Sequence, residues 1–248
     1  MTSMFPIAIP PLLLFLAMGI LSRINGSHII VRELKRKALH ICVGLTALSF
    51  PLFLNETWMI IAALGLVMAW LIAVRQVPAL RQHFGSVLHG VKRESLGELY
   101  FALSIGGLLL LTQDEPILFV IPILILALAD AFAAIVGKVF PIGPLSGLAR
   151  GKTVSGCAAF LIVAFVVSFG SLVGIADLQT SNALAIAAGL AIVTCVTEAV
   201  SRRGIDNLFV PAMAYFVLLN ANIPDFAGKT TIARLQLELN TLVTGILS

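Results

Sequence analysis

Long runs of apolar residues alternate with short polar segments along almost the whole chain. Runs of roughly 17–25 apolar residues are long enough to cross a bilayer as helices. Such runs occur near residues 4–22, 38–54, 57–74, 96–112, 116–136, 153–175, 183–200 and 207–223. The pattern therefore predicts an all-α polytopic membrane protein, a bundle of about eight transmembrane helices. The number is seven if the first or the last run lies in the membrane interface.

Composition supports this class of protein. Of the 248 residues, 59% are hydrophobic and only 11% are charged, whereas soluble domains carry about 25% charged residues. We therefore expect residues 1–248 to form a single integral-membrane domain. The first run follows no basic residue and precedes no clear small-residue cleavage site, so we expect a retained span. The three cysteines lie in or beside apolar runs, which indicates packed thiols and no disulfide framework.

The charged residues predict an orientation in the membrane. Lysine and arginine occur in the first, third, fifth and seventh loops and are absent from the second, fourth and sixth. By the positive-inside rule, the odd-numbered loops face the cytoplasm and both termini lie outside. The basic residues follow this topology and form no separate basic face, so we expect membrane lipids as partners and no nucleic acid.

The last segment, 224–248, is amphipathic. Its apolar positions Ile232, Leu235, Leu239 and Leu242 follow helical spacing, which predicts a helix lying in the membrane interface. The alternative is a segment that covers the bundle or forms a contact in a homodimer.

Three acidic side chains, Asp130, Glu98 and Glu198, lie inside predicted spans, where an acid is costly and indicates function. Asp130 lies well inside the fifth run, between Ala129 and Ala131, and needs a metal ion or another cation as its partner. Glu98 lies in the first turn of the fourth run. Its structural alternative is a solvated acid that the helix dipole stabilises.

Further oxygen-bearing side chains lie at the same predicted face. Glu198 ends the seventh run, where it either contributes to a site or pairs with Arg202 four residues later. Asp206 and Asn207 open the eighth run and are either a helix cap or ligands for a hard cation. Charges gathered below one interface suit an enzyme acting on a lipid head group. A transporter more often carries its charges at the midplane.

A basic cluster opens the second run. Arg36, Lys37 and His40 share one helix face, with Lys35 beside them. The cluster either anchors the helix to anionic lipid or contacts a phosphate or a substrate hydroxyl. No Cys/His spacing indicates zinc, and the serines form no Gly-x-Ser-x-Gly elbow.

The segment 137–156, "GKVFPIGPLSGLARGKTVSG", contains a partial phosphate-loop pattern. Ser146 occupies the place of the first glycine and no strand precedes the segment, so a Walker A loop is excluded. Four glycines nevertheless let backbone N–H groups approach an anion. Arg150 and Lys152 add positive charge, and a helix begins near Thr153. The alternative is an ordinary connector between spans.

Five segments occur in order from about residue 33 to 222: "LKRKALHICVGL", "GELYFALSI", "LALADAFAAIVGK", "RGKTVSGCAAF" and "EAVSRRGIDNLFVPA". Together they resemble the motifs of the polyprenol kinase family, which includes dolichol, phytol and CTP-dependent diacylglycerol kinases and is distantly similar to phosphatidate cytidylyltransferases. The matching residues are Asp130, Ala131, Ala133 and Gly137, then Lys152, Thr153 and Gly156, then Glu198, Asp206, Asn207 and Pro211. The resemblance implies transfer of the γ-phosphate of CTP, less readily of ATP, to a lipid alcohol at the cytoplasmic interface, with nucleotide bound by the first two groups.

This resemblance leads to a hypothesis for the site. Asp130 would bind Mg²⁺ as the catalytic metal ligand, completed by Glu198 or by Asp206 and Asn207. The cytoplasmic loop 137–153 would bind the nucleotide together with Gly156, through residues that include Gly137, Arg150, Gly151, Lys152 and Thr153. Glu98, with His40 in reserve, would orient or deprotonate the lipid hydroxyl, and the tail would lie in an apolar groove between spans. The alternatives are synthesis of a CDP-lipid and, in a different class, a small-molecule or lipid transporter.

Overall fold

The computed structural model describes residues 5–24, 29–88, 96–112, 115–149 and 151–221. In these ranges the chain forms helices and short turns and no β-sheet, which confirms the all-α class. A π-helical turn, Ile125–Ala129, joins two of the helices. The helices are α1 (Phe5–Ser22), α2 (Ile29–Ala47), α3 (Thr57–Gln76), α4 (Pro78–Leu88), α5 (Gly97–Leu111), α6 (Pro116–Leu124), α7 (Asp130–Val139), α8 (Val154–Gly174), α9 (Thr180–Val200) and α10 (Asp206–Leu219).

Five segments within the described ranges are long and apolar enough to cross a bilayer by length and composition. They are α1, α3, the continuous rod Pro116–Val139 formed by α6, the π-helical turn and α7, and then α8 and α9. The helices α5 and α10 are also apolar but shorter. The chain is therefore an integral membrane protein, and the count of seven or eight spans stays a prediction.

Two regions differ from the pattern of apolar runs. The run 38–54 corresponds to α2, which begins at residue 29 and ends at residue 47, before Pro51. The polar stretch ahead of residue 38 is thus helical as well. The third loop contains α4, which the pattern does not predict; it begins at Pro78, a residue suited to the first helical position. The predicted amphipathic tail, 224–248, lies outside the described residues.

The rod Pro116–Val139 is the centre of the bundle. In its most apolar 18-residue stretch, 67% of the residues are buried inside the protein, against 17–33% in the other four candidate spans. Helices α2, α8 and α10 pack against it, and α5 contacts its first half. Because the rod contacts protein on most sides, an acid on it can meet side chains from several helices.

Close packing brings α2 onto the π-helical turn. A Cβ atom at Gly44 would lie 2.5 Å from the Cβ of Ala127, so only glycine permits this approach. One turn before Gly44, His40 is consequently placed against the same part of the rod. The sequence therefore positions the basic face of α2 beside the start of α7.

Candidate functional site

Three carboxylates from three helices converge at one end of the bundle. They belong to Asp130, the first residue of α7, Glu198 in the last turn of α9 and Asp206, the first residue of α10. One oxygen of each lies within 4.8 Å of the others. Asp130 and Glu198 are each 4% exposed, and Asp206 is half-buried. All three are predicted from the sequence as site residues, and the fold brings them together.

Two lysines compensate this acid cluster, defined as Asp130, Glu198 and Asp206. The Nζ atom of Lys37 donates to Oδ2 of Asp130 at 2.5 Å, and both side chains are buried. Lys152 donates to Oε1 of Glu198, and its Nζ atom lies 3.7 Å from Oδ2 of Asp206. Three carboxylates this close repel one another, so the two cations stabilise the arrangement.

The pKa of Lys152 reflects this environment. Burial alone would lower the pKa of its ammonium group, but the carboxylates of Glu198 and Asp206 outweigh that effect and raise the pKa above its ordinary value. Lys152 is therefore positively charged across the physiological pH range, and it is held by acids from α9 and α10.

The π-helical turn aligns a histidine with Asp130. The Nε2 atom of His40 donates to the carbonyl oxygen of Leu126 at 3.0 Å and lies 3.4 Å from Oδ2 of Asp130. Because both neighbours are acceptors, Nε2 carries the proton. The imidazole also stacks on Phe101 of α5, with ring centroids 4.0 Å apart. π-Helical turns occur frequently at functional sites, and this one precedes Asp130 directly.

The loop after α7 folds back on itself. Leu145 N donates to Lys152 O at 3.0 Å and Val154 N donates to Gly143 O at 2.9 Å, which brings the two ends of the loop together. Gly143 and Gly151 have positive φ angles of 62° and 95°, which glycine adopts without strain. The fold thus holds Lys152 at the rim of the acid cluster.

Two glycines assigned to nucleotide binding have a packing role. A Cβ atom at Gly137 would lie 2.8 Å from Oγ1 of Thr153, and one at Gly156 would lie 3.0 Å from both that oxygen and the carbonyl of Ala133. Thr153 caps α8 by accepting a hydrogen bond from Gly156 N at 3.1 Å. These residues join α7 to α8. Arg150, the remaining basic residue predicted here, lies outside the described residues.

Asn207 ties α10 to α5. Its Nδ2 atom donates to the carbonyl of Gly97 at 2.8 Å, and its own carbonyl accepts a hydrogen bond from Ser104 Oγ at 2.6 Å. Asn207 is predicted to bind metal together with Asp206, its neighbour in sequence. In the structure its side-chain amide nitrogen instead holds the first residue of α5. Glu98, the next residue along α5, lies outside the acid cluster.

Glu98 lines a groove between α1, α2, α3 and α5. The groove is open on one side, and the space within and before it measures about 900 Å³. Its polar side chains are Arg36, His40, Glu98 and Asn207, and the rest of the lining is aliphatic or aromatic. The Oε2 atom of Glu98 is buried and has no hydrogen-bond partner among the described residues.

Two charged partners on α2 are not predicted from the sequence. Lys37 is predicted to belong to a basic cluster under the lipid head groups, yet it is the cation that Asp130 requires. Glu33, which has no predicted role, pairs with Arg36 at 2.6 Å and with Lys138 of α7 at 2.9 Å. Burial alone would raise the pKa of Glu33, but Arg36 and Lys138 lower it below its ordinary value. The spacing that places Lys37 and His40 on one helix face is the feature of the sequence that could have indicated a shared partner, Asp130.

The acid cluster suits a hard divalent cation. Its donors are carboxylate oxygens, the ligands that Mg²⁺ prefers, and they converge from separate helices within 4.8 Å. The Oδ1 atom of Asp206 is buried and has no hydrogen-bond partner among the described residues. A buried carboxylate oxygen without a donor is costly, and coordination to a metal would satisfy it.

Comparison with known proteins identifies the family. No protein-family model matches the chain, and no solved structure matches it. The phytol kinase of Synechocystis sp. (strain ATCC 27184 / PCC 6803 / Kazusa) is 30% identical over 221 residues, which cover 83% of this chain and 90% of that kinase. At this identity and coverage, the chain belongs to the polyprenol (phytol) kinase family.

Proposed function

We propose that this protein transfers the γ-phosphate of CTP to a long-chain isoprenoid alcohol of the phytol or polyprenol type, or to diacylglycerol, at the cytoplasmic interface. The observation that carries the proposal is the acid cluster with its two lysines, which lies beside the polar end of an apolar groove. Family membership supports a lipid-alcohol kinase. The CTP donor, the acceptor and the cytoplasmic face are our proposals.

Phosphoryl transfer depends on positioning and on neutralising charge more than on covalent catalysis. Asp130, Glu198 and Asp206 would hold Mg²⁺, which when bound neutralises phosphate oxygens. Lys152 lies at the rim of the cluster, where its ammonium group can contact the same phosphates. The N–H groups of Val154, Ser155 and Gly156 already donate to Gly143 O, Ile142 O and Thr153 Oγ1. The ammonium group of Lys152 is therefore the proposed phosphate contact.

The acceptor reacts at the other side of the cluster. The alcohol oxygen attacks the γ-phosphorus and forms a P–O bond, while the bond between that phosphorus and the β–γ bridging oxygen breaks. The hydroxyl proton passes to the carboxylate of Glu98, and His40, which contacts Asp130 and lines the groove, is the reserve for this role. The products are CDP and a lipid phosphate.

Labelled nucleotides test this function. The protein in nanodiscs is incubated with γ-labelled CTP or ATP and with phytol, geranylgeraniol, dolichol or diacylglycerol. We expect label on an isoprenoid alcohol, more with CTP than with ATP, and none after chelation of divalent metal until Mg²⁺ is restored. Release of pyrophosphate with a CDP-lipid would instead identify a cytidylyltransferase. Lipid movement without nucleotide turnover would identify a transporter.

Asp206→Asn gives the sharpest variant for this assay. Among the described residues, Asp206 makes one long ion pair, at 3.7 Å, so an isosteric amide should leave the fold intact. Loss of groups that merely support a metal ligand costs about 10–100-fold, so loss of a ligand should lower kcat/KM at least about 100-fold. The matched control is Asp177→Asn, a position after α8 outside the acid cluster, where asparagine tolerates the φ of 52°. Equal activity of the two variants would contradict the metal assignment.

A further inference from the structure

The groove has one polar end and one apolar end. Along α5 its lining extends from Gly97 to Leu109, which is about 18 Å at 1.5 Å per residue. The polar side chains all lie toward the Gly97 end. Phe50, Leu54 and Ile60, which come from the turn after α2 and the start of α3, line the other end together with Leu109. An occupant of this groove would therefore be a molecule with a polar head and a long apolar body.

The polar end is continuous with the acid cluster. His40 lines the groove and also lies 3.4 Å from Oδ2 of Asp130. Asn207 lines the groove as well and follows Asp206 directly in α10. The head of an occupant is thus presented to the carboxylates that would hold the metal.

Glu98 provides an independent indication of what the head contains. Its buried Oε2 atom has no hydrogen-bond partner among the described residues. A carboxylate oxygen left without a donor costs free energy, and a hydroxyl group would supply the donor. Arg36 lines the same end of the groove but pairs with Glu33, so the Oε2 atom of Glu98 stays an acceptor in need of a donor.

We propose that the groove is the acceptor site and that it binds a single-chain primary alcohol. In this arrangement the hydroxyl donates to Glu98 and the chain lies along α5 toward Phe50, Leu54 and Ile60. The length of about 18 Å slightly exceeds half of the 30 Å hydrocarbon core. The apolar end therefore limits the length of the lipid chain that fits in the groove. This limit favours a short isoprenoid alcohol over a long polyprenol. This inference rests on the proposed function.

Two alanines lie at different depths and allow the groove to be shortened or closed. Ala63 of α3 is 3% exposed and lies one turn from Ile60, near the apolar end. Ala102 of α5 is 9% exposed and lies one turn from Glu98, near the polar end. Ala63→Leu should block only long chains, whereas Ala102→Leu should block every chain. Ala69→Leu, an exposed position on α3 outside the groove, is the matched control.

The assay compares kcat/KM for geraniol, farnesol and geranylgeraniol. One excess methylene in an apolar pocket changes kcat/KM about 10–200-fold. We therefore expect Ala63→Leu to lose at least about 10-fold on geranylgeraniol and little on geraniol, whose retained turnover also shows that the variant folds. Ala63→Val should give a smaller shift in the same direction. Glu98→Gln should lower kcat/KM for all three alcohols by one common factor, because it acts on the hydroxyl. A length profile of Ala63→Leu identical to that of Ala69→Leu would place the acceptor elsewhere.

A binding measurement separates this inference from the proposed function. A ligand that binds the folded protein raises its melting midpoint. Without nucleotide, geranylgeraniol should therefore stabilise the wild type and Ala69→Leu but not Ala102→Leu. That result would support the groove even if no alcohol acquired phosphate, which would overturn only the kinase proposal. Equal stabilisation of all three proteins, or of none, would overturn the groove assignment.

Discussion

Replacing Asp130 by asparagine removes a charge from a buried ion pair as well as a proposed metal ligand. Lys37 and Asp130 come from different helices, and their side chains are 5% and 6% exposed. The substitution would leave the ammonium group of Lys37 buried beside an uncharged amide. Asp130→Asn should therefore lose both activity and stability, whereas the double variant with Lys37→Met should regain only the stability.

The magnitude follows from the geometry of the pair. At 2.5 Å, two unit charges attract by about 7 kcal/mol at an effective dielectric constant of 20. Burying both charges offsets most of that attraction, so the net contribution of the pair is small. Removing one partner leaves an unpaired buried charge and costs about 3–5 kcal/mol, whereas removing both is often neutral. At about 2–4 °C per kcal/mol, the single variant should melt on the order of 10 °C lower.

A thiol-reactive fluorophore measures this melting in detergent. Cys195 is buried and Cys157 is half-buried, so both thiols react on unfolding, while exposed Cys42 sets the baseline. Transfer of γ-labelled phosphate is measured on the same preparations. We expect a melting midpoint of the double variant within about 3 °C of the wild type, and no transfer by either variant.

Two results would refute the reasoning. A double variant as unstable as the single one would show that the stranded charge of Lys37 is not the cause of the loss. Near-normal transfer by either variant would show that Asp130 binds no essential metal. The control is Asp177→Asn, which makes the same chemical change outside the acid cluster and should alter neither measurement.

The remaining predictions concern the loop and the start of α8. Lys152→Met should raise the KM for nucleotide at least about 10-fold, because a loss of 1.4 kcal/mol or more of phosphate-binding free energy corresponds to that factor. An unchanged KM in a nucleotide titration would show that Lys152 does not bind phosphate. Gly156→Ala should cost about 1–3 kcal/mol, since its Cβ would lie 3.0 Å from the carbonyl of Ala133. The control Gly170→Ala, with no atom within 4 Å of its Cβ, should melt at or above the wild-type temperature.

The apolar pattern predicts most of the helices because burial in a bilayer requires long apolar runs. It fails where helices carry charge. The first half of α2 is polar, yet it is helical because Glu33 pairs with Arg36 and Lys138. The helix α4 mixes polar and apolar residues, and the aromatic rings of Trp70 and Phe84 pack together to hold it, with centroids 5.7 Å apart. The contacts of Glu33 with Lys138 and of Trp70 with Phe84 join residues distant in sequence, so periodicity does not reveal them.

The acids of the site can be predicted because an acid in a span needs a reason. Their partners cannot be assigned in this way, since the lysine of Asp130 is 93 residues away and that of Glu198 is 46 residues away. Helical spacing offers Arg202 as the partner of Glu198, but its partner in the structure is Lys152. Local spacing predicts pairs within one helix; pairs between helices depend on the packing of the bundle.

These interhelical pairs connect the stability of the site to its chemistry. The sequence predicts that Lys152 binds phosphate, whereas in the structure its ammonium group pairs with Glu198 and Asp206. Both roles require the same positive charge. If Lys152 moved to a phosphate, the carboxylates that it now neutralises would repel one another at separations below 4.8 Å. Lys152 can therefore turn to a phosphate only when another cation takes its place among the acids. A divalent metal that arrives with the nucleotide meets this requirement, so metal binding and phosphate binding at this site should be mutually dependent.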